Sequence, residues 1–420
     1  MLKNKDRIIF HIDVNSAYLS WEAVYRLQQG ETIDLREIPA VVGGDPKSRH
    51  GIVLAKSIPA KQYKIQTGET IYSALQKCKD LTIVKPTYDL YIKCSSAMME
   101  VLKSYSPSIQ RFSVDECFLD YTHMKEHFGE PEEAAHRIKE QIKNELGFTV
   151  NIGISSNKLL AKMASDLIKP DRVITLFPEE IPEKMWPLPV EELFMVGRAT
   201  TPKLHKLGIY TIGNLANYDV EHIRYRLKSY GLMIWQYANG IEDSMVRAGS
   251  HMDMKGIGNS TTISFDVMDK ETAHMILLSL VETVAMRLRD ALCCCRLVAV
   301  SIKNSSFKSY SHQKKLFSPI DTTNELYPIV WDLFDEAWQG EPIRNLGVRV
   351  SELCSNEFYQ KSLFDHEKKE RYRALDTAID ALRLRYGSKS IIRAGFLHSG
   401  IKPLTGGVGA DDYPMMGSIL

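Results

Sequence analysis

Two short acidic stretches about a hundred residues apart constrain this chain more than anything else in it: Phe10-His11-Ile12-Asp13-Val14-Asn15-Ser16 and Ser113-Val114-Asp115-Glu116-Cys117. Ile8, Ile9, Phe10 and Ile12 form a nearly continuous apolar run, the pattern of a strand buried in a sheet, and Asp13 sits where it ends. A carboxylate there is costly unless something neutralises it. Asp115 and Glu116 are adjacent, so on one flat strand they would point to opposite faces. If residues 109–114 and 117–121 are two arms of a hairpin, the pair lies at its tip and both carboxylates can turn toward Asp13. Three converging carboxylates repel one another unless cations sit between them, and all-oxygen ligation suits Mg²⁺ or Mn²⁺. Either stretch alone admits a plainer account, with Asp13 as a helix cap and Asp115-Glu116 as an exposed turn.

At 420 residues the chain is expected to hold several domains. Strands alternate with helices: a helix over 15–28 capped by Asn15 or Ser16, strands near 40–43 and 52–55, a helix over 90–105, the acidic hairpin, an amphipathic helix over 131–146 and a buried strand over 149–154. A helix over 157–168 follows, with Leu159, Leu160, Met163 and Leu167 on one face, Lys158 and Lys162 on another, and Pro170 at its end. This is a layered α/β arrangement. The net charge of +1 means that any phosphate-binding face must come from local clustering. Seven cysteines without C-x-x-C spacing fit reduced cytosolic thiols, not a disulfide framework or zinc site. No stretch approaches the ~18 apolar residues of a membrane span, the start lacks a signal-peptide core, and the expected location is cytoplasmic.

With these residues in view, the sequence resembles the Y-family DNA polymerases, the bacterial DinB/UmuC-like translesion enzymes. The resemblance rests on Asp13 with the aromatic Tyr18 five residues on, Ser113-Val114-Asp115-Glu116, Asn151-Ile152-Gly153-Ile154-Ser155-Ser156-Asn157-Lys158-Leu159-Leu160-Ala161-Lys162, and Lys169-Pro170. It implies a multidomain α/β right-hand polymerase: a palm over 1–20 and 80–178, small fingers over 21–79, a helical helix-hairpin-helix thumb over 179–245, a linker over 246–258 and a β-α-β-β-α-β little finger over 259–355. It implies two Mg²⁺ ions, with Mn²⁺ able to substitute, held by Asp13, Asp115, Glu116 and the carbonyl of Val14. Nucleotide contacts fall on Asn15, Ser16, Ala17, Tyr18, Lys61 and Lys169, with Tyr18 as a steric gate against a ribose 2′-OH. Read alone, Tyr18 could equally be a core aromatic, Lys61 a solvated surface lysine and Lys169 a charge favouring a helix C-terminus. The sequence departs from the family at Asn15, where many relatives carry Asp, and at Ile58 and Lys61, where many carry Tyr and Arg; lysine keeps the charge and loses the bidentate fork.

A proline-rich hinge from Pro178 to Pro189 precedes the expected thumb. There Met195 stands where the hairpin's first glycine belongs, which leaves a plain helix pair as the rival, while Arg198, Lys203, Lys206, Arg224, Arg226 and Lys228 make the segment basic. Arg296, Lys303, Lys308, Lys314 and Lys315 mark the little-finger strands, expected over 296–305 and 309–318, as a second surface for a phosphate backbone, unless that face is merely solvated. Gln360-Lys361-Ser362-Leu363-Phe364 resembles the peptide with which bacterial polymerases dock on the sliding clamp, through Gln360, Leu363 and Phe364. A tail helix over 367–386 carries Tyr372, Leu375, Ile379, Leu382 and Tyr386 on one stripe, a face expected to pack on a neighbour or partner. The implied partners are primer-template DNA, dNTP and the clamp's beta subunit, with no membrane, and the protein is expected to be a monomer. A nucleotidyl cyclase and a non-catalytic polymerase fold are the rivals: turnover without primer or template marks the first, and the intact acids speak against the second.

Overall fold

The apolar run before Asp13 becomes the central strand of its sheet. The computed structural model describes residues 7–45, 49, 51–247, 254–356 and 367–403. These fall into two compact units, one holding residues 7–44 and 52–247, the other holding residues 45, 49, 51, 254–356 and 367–403. The first unit runs β1 (Ile9–Val14), α1 (Ala17–Gln28), β2 (Ala40–Gly43), β3 (Val53–Lys56), α2 (Ile58–Gln62), α3 (Ile71–Lys77) and β4 (Thr82–Val84). It continues through α4 (Tyr88–Lys103), β5 (Ile109–Arg111), β6 (Glu116–Asp120), α5 (Lys125–Phe128), α6 (Pro131–Leu146), β7 (Val150–Ser155), α7 (Lys158–Leu167) and β8 (Val173–Thr175). Helices α8 (Ile181–Lys184), α9 (Thr201–His205), α10 (Ile212–Ala216) and α11 (Val220–Ala238) close it.

The main sheet has the order β5-β6-β1-β7-β8, so β1 is covered on both edges and Ile9, Phe10 and Ile12 are fully buried. A separate sheet, β3-β2-β4, takes in β4 by parallel pairing with β2, although the sequence places residues 80–178 with the palm. Asn157 caps α7, its side chain accepting from the Leu160 N–H at 2.8 Å. Gly153 sets how close α7 lies to β7: a Cβ there would stand 2.0 Å from the Ala161 carbonyl oxygen and 2.5 Å from the Ser165 nitrogen.

The second unit runs β9 (Gly256–Val267), α12 (Lys270–Asp290), β10 (Cys293–Asn304), β11 (Ser309–Ile320), α13 (Thr323–Ala337), β12 (Ile343–Ser355) and α14 (Glu367–Tyr386). Its strands pair in the order β11-β10-β12-β9, with α12 and α13 on one face over an aliphatic core. The β-α-β-β-α-β order is the expected one, but β9 reaches back into the expected linker, and β10 begins early enough to include Cys293, Cys294 and Cys295.

The tail helix corrects the expectation for its apolar stripe. α14 docks on its own unit through an adjacent, charged face, with Tyr372 and Ile379 of the stripe half-buried: Arg289 pairs with Asp376 and Asp380 at 3.1 and 2.7 Å, Arg373 with Asp321 at 2.6 Å, and Arg383 with Glu282 at 3.3 Å. Asp376 also accepts from the Thr323 N–H at 2.7 Å, helping to satisfy the start of α13. Leu375, Leu382 and Tyr386 stay exposed. Hydrophobic periodicity missed this because the buried Asp376 and Arg383 are matched by charged partners far away in sequence. Among the described residues no helix is long and apolar enough to cross a membrane.

Candidate active site

Sheet register brings the acids together at one end of the main sheet. Asp13 lies directly opposite Glu116 across the β1–β6 ladder, so their side chains share a face. The β5–β6 hairpin is closed by the Phe112 and Ser113 N–H groups, both donating to the Glu116 carbonyl at 2.9 and 3.1 Å. That turn breaks the strand alternation that would otherwise part Asp115 from Glu116. The Val14 N–H donates to the Asp115 carbonyl at 3.1 Å, and the Ser113 hydroxyl donates to Asp115 Oδ1 at 2.5 Å.

The carboxylates do not converge on one point. Among the described residues, no three acidic, histidine or cysteine side chains are grouped so as to ligate one ion. Instead, two lysines divide them. Lys162 Nζ donates to Glu116 Oε1 and Oε2, each at 3.0 Å, while Lys169 pairs with Asp13 and, at 2.8 Å, with Asp166. Like charges at this spacing repel, and an ammonium relieves that as a metal would. His11 is fully buried below them: its Nδ1 meets the Ser165 hydroxyl at 2.7 Å and its Nε2 lies 3.7 Å from Glu116 Oε2.

Electrostatics follow the burial. Desolvation raises the carboxyl of Asp13, with Lys169 opposing it and Glu116 adding to it. Burial likewise raises Asp115, against the hydrogen bond from Ser113. Glu116 is also pushed up by burial, yet the His11 ring and the Lys162 ammonium draw it down to about 2. Burial disfavours the charge on Lys169, but Asp13 and Asp166 outweigh it and raise its pKa. The carboxylate oxygens of Asp13, Asp115 and Glu116 are hard donors of the kind that suit a divalent cation.

Asp13, Val14, Asp115, Glu116 and Lys169 form one wall of an open pocket of about 460 Å³. Ser16, Ala17 and Tyr18 at the start of α1 form the second wall, and Lys56 and Lys61 contribute to the third. Ser16 caps α1 in a left-handed conformation (φ 49°, ψ 47°) without a side-chain hydrogen bond, so the cap leaves first-turn N–H groups beside the pocket. The Tyr18 ring stacks on Tyr91 at 4.3 Å, and the Tyr91 hydroxyl is anchored on buried Glu22 at 2.7 Å. Asn15 is turned aside: its backbone N–H and side-chain amide donate to Thr149 at 3.0 and 3.1 Å. Ile58 is half exposed on α2.

Sequence reasoning passed over Lys56, Lys162 and His11. Lys162 carried one signal, a lone cation among Leu159, Leu160, Ala161, Met163 and Ala164, all of which the structure buries. His11 carried another, a polar residue inside an apolar strand on Asp13's face. Lys56 carried none, since a lysine ending a short strand is ordinary.

The remaining assigned residues lie apart. Arg198 and Lys203 are exposed in the first unit, around the turn before α9 and on α9. Met195 adopts φ 74°, the left-handed backbone a glycine would take, and its carbonyl accepts from the Tyr230 hydroxyl. In the second unit, Arg296 is exposed on β10, Lys303 is half-buried on β10 opposite Ser309, and Lys308 sits in the β10–β11 turn. Lys315, opposite Leu297, shares the Lys303 side of the sheet, and Lys314, opposite core residue Val298, points to the other side. Gln360, Leu363 and Phe364 fall outside the described residues.

Three family profiles match the chain: the impB/mucB/samB family over residues 12–166, its helix-hairpin-helix motif over 178–209 and its C-terminal domain over 254–363. The chain is 50% identical to a DNA polymerase IV of Clostridium acetobutylicum over 93% of its own length and 98% of the relative's. It is 34% identical to DNA polymerase IV 2 of Bacillus subtilis, covering 94% and 95% of the two chains. Among solved structures, a Y-family DNA polymerase chimera of Dbh and Dpo4 superposes with a TM-score of 0.73 at 21% identity, covering 83% of this chain and all of the other.

Proposed function

The chain belongs to the impB/mucB/samB family, the Y-family DNA polymerases, and from that premise we propose that the pocket beside Asp13 joins a deoxynucleotide to a primer 3′-OH. The protein is a DNA-directed DNA polymerase of the translesion type, copying damaged templates at low fidelity. The observation that carries the site assignment is the placement of Asp13, Asp115, Glu116 and Lys169 on one wall of a pocket that also takes in Tyr18 and Lys61.

Asp13, Asp115 and Glu116, with the Val14 carbonyl, would hold two divalent cations, Mg²⁺ by preference and Mn²⁺ in its place. Bound there, such ions lower the pKa of the primer hydroxyl and take up charge on the departing pyrophosphate. The chain's own residues do the rest. Lys169 and Lys61 bind triphosphate oxygens, and the N–H groups at the start of α1 add donors aimed at the same anion. Lys56, beside Lys61 in the pocket, adds a further cation to that wall. Tyr18, held flat against Tyr91, closes the space a 2′-OH would need. Asn15, assigned to the nucleotide with its neighbours, also ties the start of α1 to Thr149 at the entry to β7.

Arg198 and Lys203 are assigned to DNA phosphates by the hairpin segment, as are Arg296, Lys303 and Lys308 by the second unit. Gln360, Leu363 and Phe364 are assigned to the sliding clamp. If Leu363→Ala and Phe364→Ala together leave clamp affinity unchanged, that assignment is wrong. The cytoplasm is the proposed location, where these partners are found. The polymerase reading is tested by offering one dNTP at a time on primed templates of each base: incorporation should follow the template, whereas nucleotide turnover without primer would favour a cyclase.

A further inference from the structure

Lys162 does not line the pocket, yet its ammonium is held on several sides. Its side chain is less than a tenth exposed, and it is absent from the pocket wall that Glu116 helps to form. It donates equally to both Glu116 oxygens, at 3.0 Å each. The ammonium also lies over the rings of Phe112 at 5.5 Å and Phe194 at 5.6 Å. A buried ammonium is stable only with such partners, and aromatic faces supply attraction without taking a proton donor from the carboxylate. Its Cα is fixed by the close approach of α7 to Gly153, and its carbonyl accepts from Ser165, whose hydroxyl meets His11.

From this arrangement we infer that Lys162 is a positioning residue that competes with a divalent cation for Glu116, holding the carboxylate in place and keeping cation affinity of the DNA-free enzyme low. The inference rests on the reading of the acids as the cation site. Each carboxylate oxygen has a second lone pair, so Glu116 can accept from Lys162 and still face the pocket. A cation on that lone pair would then sit close to a fixed positive charge in a partly desolvated place, where repulsion is screened less than in water. Phe112 belongs to the acidic hairpin, and Phe194 to the segment that matches the helix-hairpin-helix profile. The ammonium therefore links the catalytic carboxylate to the DNA-contacting segment of the same unit.

The test is Mn²⁺ binding to the full-length protein without DNA or nucleotide, read from the spectrum of free Mn²⁺ by electron paramagnetic resonance. Lys162→Met, which keeps the volume and drops the charge, should tighten Mn²⁺ about tenfold or more, while Lys162→Arg should stay near the parent. Polymerisation by Lys162→Met should nevertheless slow in kcat, because Glu116 has lost its support. A merely structural lysine gives no tightening, so unchanged or weaker Mn²⁺ binding in folded Lys162→Met overturns the inference. If that variant fails to fold, Lys162→Gln is held to the same outcome. Asp115→Ala separates the two readings. If it removes Mn²⁺ binding while Lys162→Met does not alter it, the cation site stands and this inference falls; if tightened binding survives Asp115→Ala, the cation is elsewhere and both fall.

Discussion

Glu116 and Asp13 face each other across one pair of strands, yet Glu116 is gripped by Lys162 at 3.0 Å while Asp13 is paired with Lys169. Both lysines belong to the α7 segment, one within the helix and one just past its end. The acids come from two stretches of the chain, and one helix and the residues just past its end supply the positive charges that let them coexist. How α7 lies on the sheet therefore decides how the site is charged.

That placement depends on Gly153. Gly153→Ala would drive a methyl group into the Ala161 carbonyl, and backbone cannot yield as a side chain can. The expected result is a loss of about 3 kcal/mol or more of stability in the first unit, measured by denaturant unfolding, with primer extension lost alongside. A variant as stable and active as the parent would show that α7 can shift without disturbing its lysines.

The Tyr18 ring is stacked on Tyr91, and the role proposed for it is one of shape. Tyr18→Ala should lower discrimination against ribonucleotides by ~10–100-fold in kcat/KM while leaving deoxynucleotide use much less affected. Undiminished rejection of ribonucleotides would remove the gate from this residue.

Met195 takes a conformation that costs a side-chain-bearing residue about 1–2 kcal/mol. Its side chain is largely exposed, so little packing is lost on removing it. Met195→Gly should stabilise the first unit by ~0.5–1 kcal/mol, seen as a rise of ~1–3 °C in its melting transition. Met195 lies within the segment that matches the helix-hairpin-helix motif.

The fold was legible where pattern and burial agree. The run Ile9–Val14 reads as a central strand because every residue in it is buried, and the hairpin at Asp115-Glu116 follows from the impossibility of placing both carboxylates on one face of a flat strand. The second unit's element order was legible from the same alternation. The division of the acids between two lysines was not, because a count of carboxylates omits the cations that come from elsewhere: Lys162 reads as a polar-face residue of α7 until Gly153 and the rings of Phe112 and Phe194 are seen around it. The docking of α14 escaped for a related reason. Its buried Asp376 and Arg383, and Arg373 beside them, have partners, Arg289, Asp321 and Glu282, that lie far back in the chain, while Leu375, Leu382 and Tyr386 face outward.

The central claim is that Asp13, Asp115 and Glu116 form the centre at which a primer is extended. It is tested most directly by extension of a labelled primer on an undamaged template with Mg²⁺ and all four deoxynucleotides, comparing the intact protein with Asp115→Ala. Extension by the intact protein, reduced on the order of 10³-fold or more by the substitution while DNA binding persists, is the expected result. Equal extension by both proteins, or none by the intact protein with either Mg²⁺ or Mn²⁺, would contradict it.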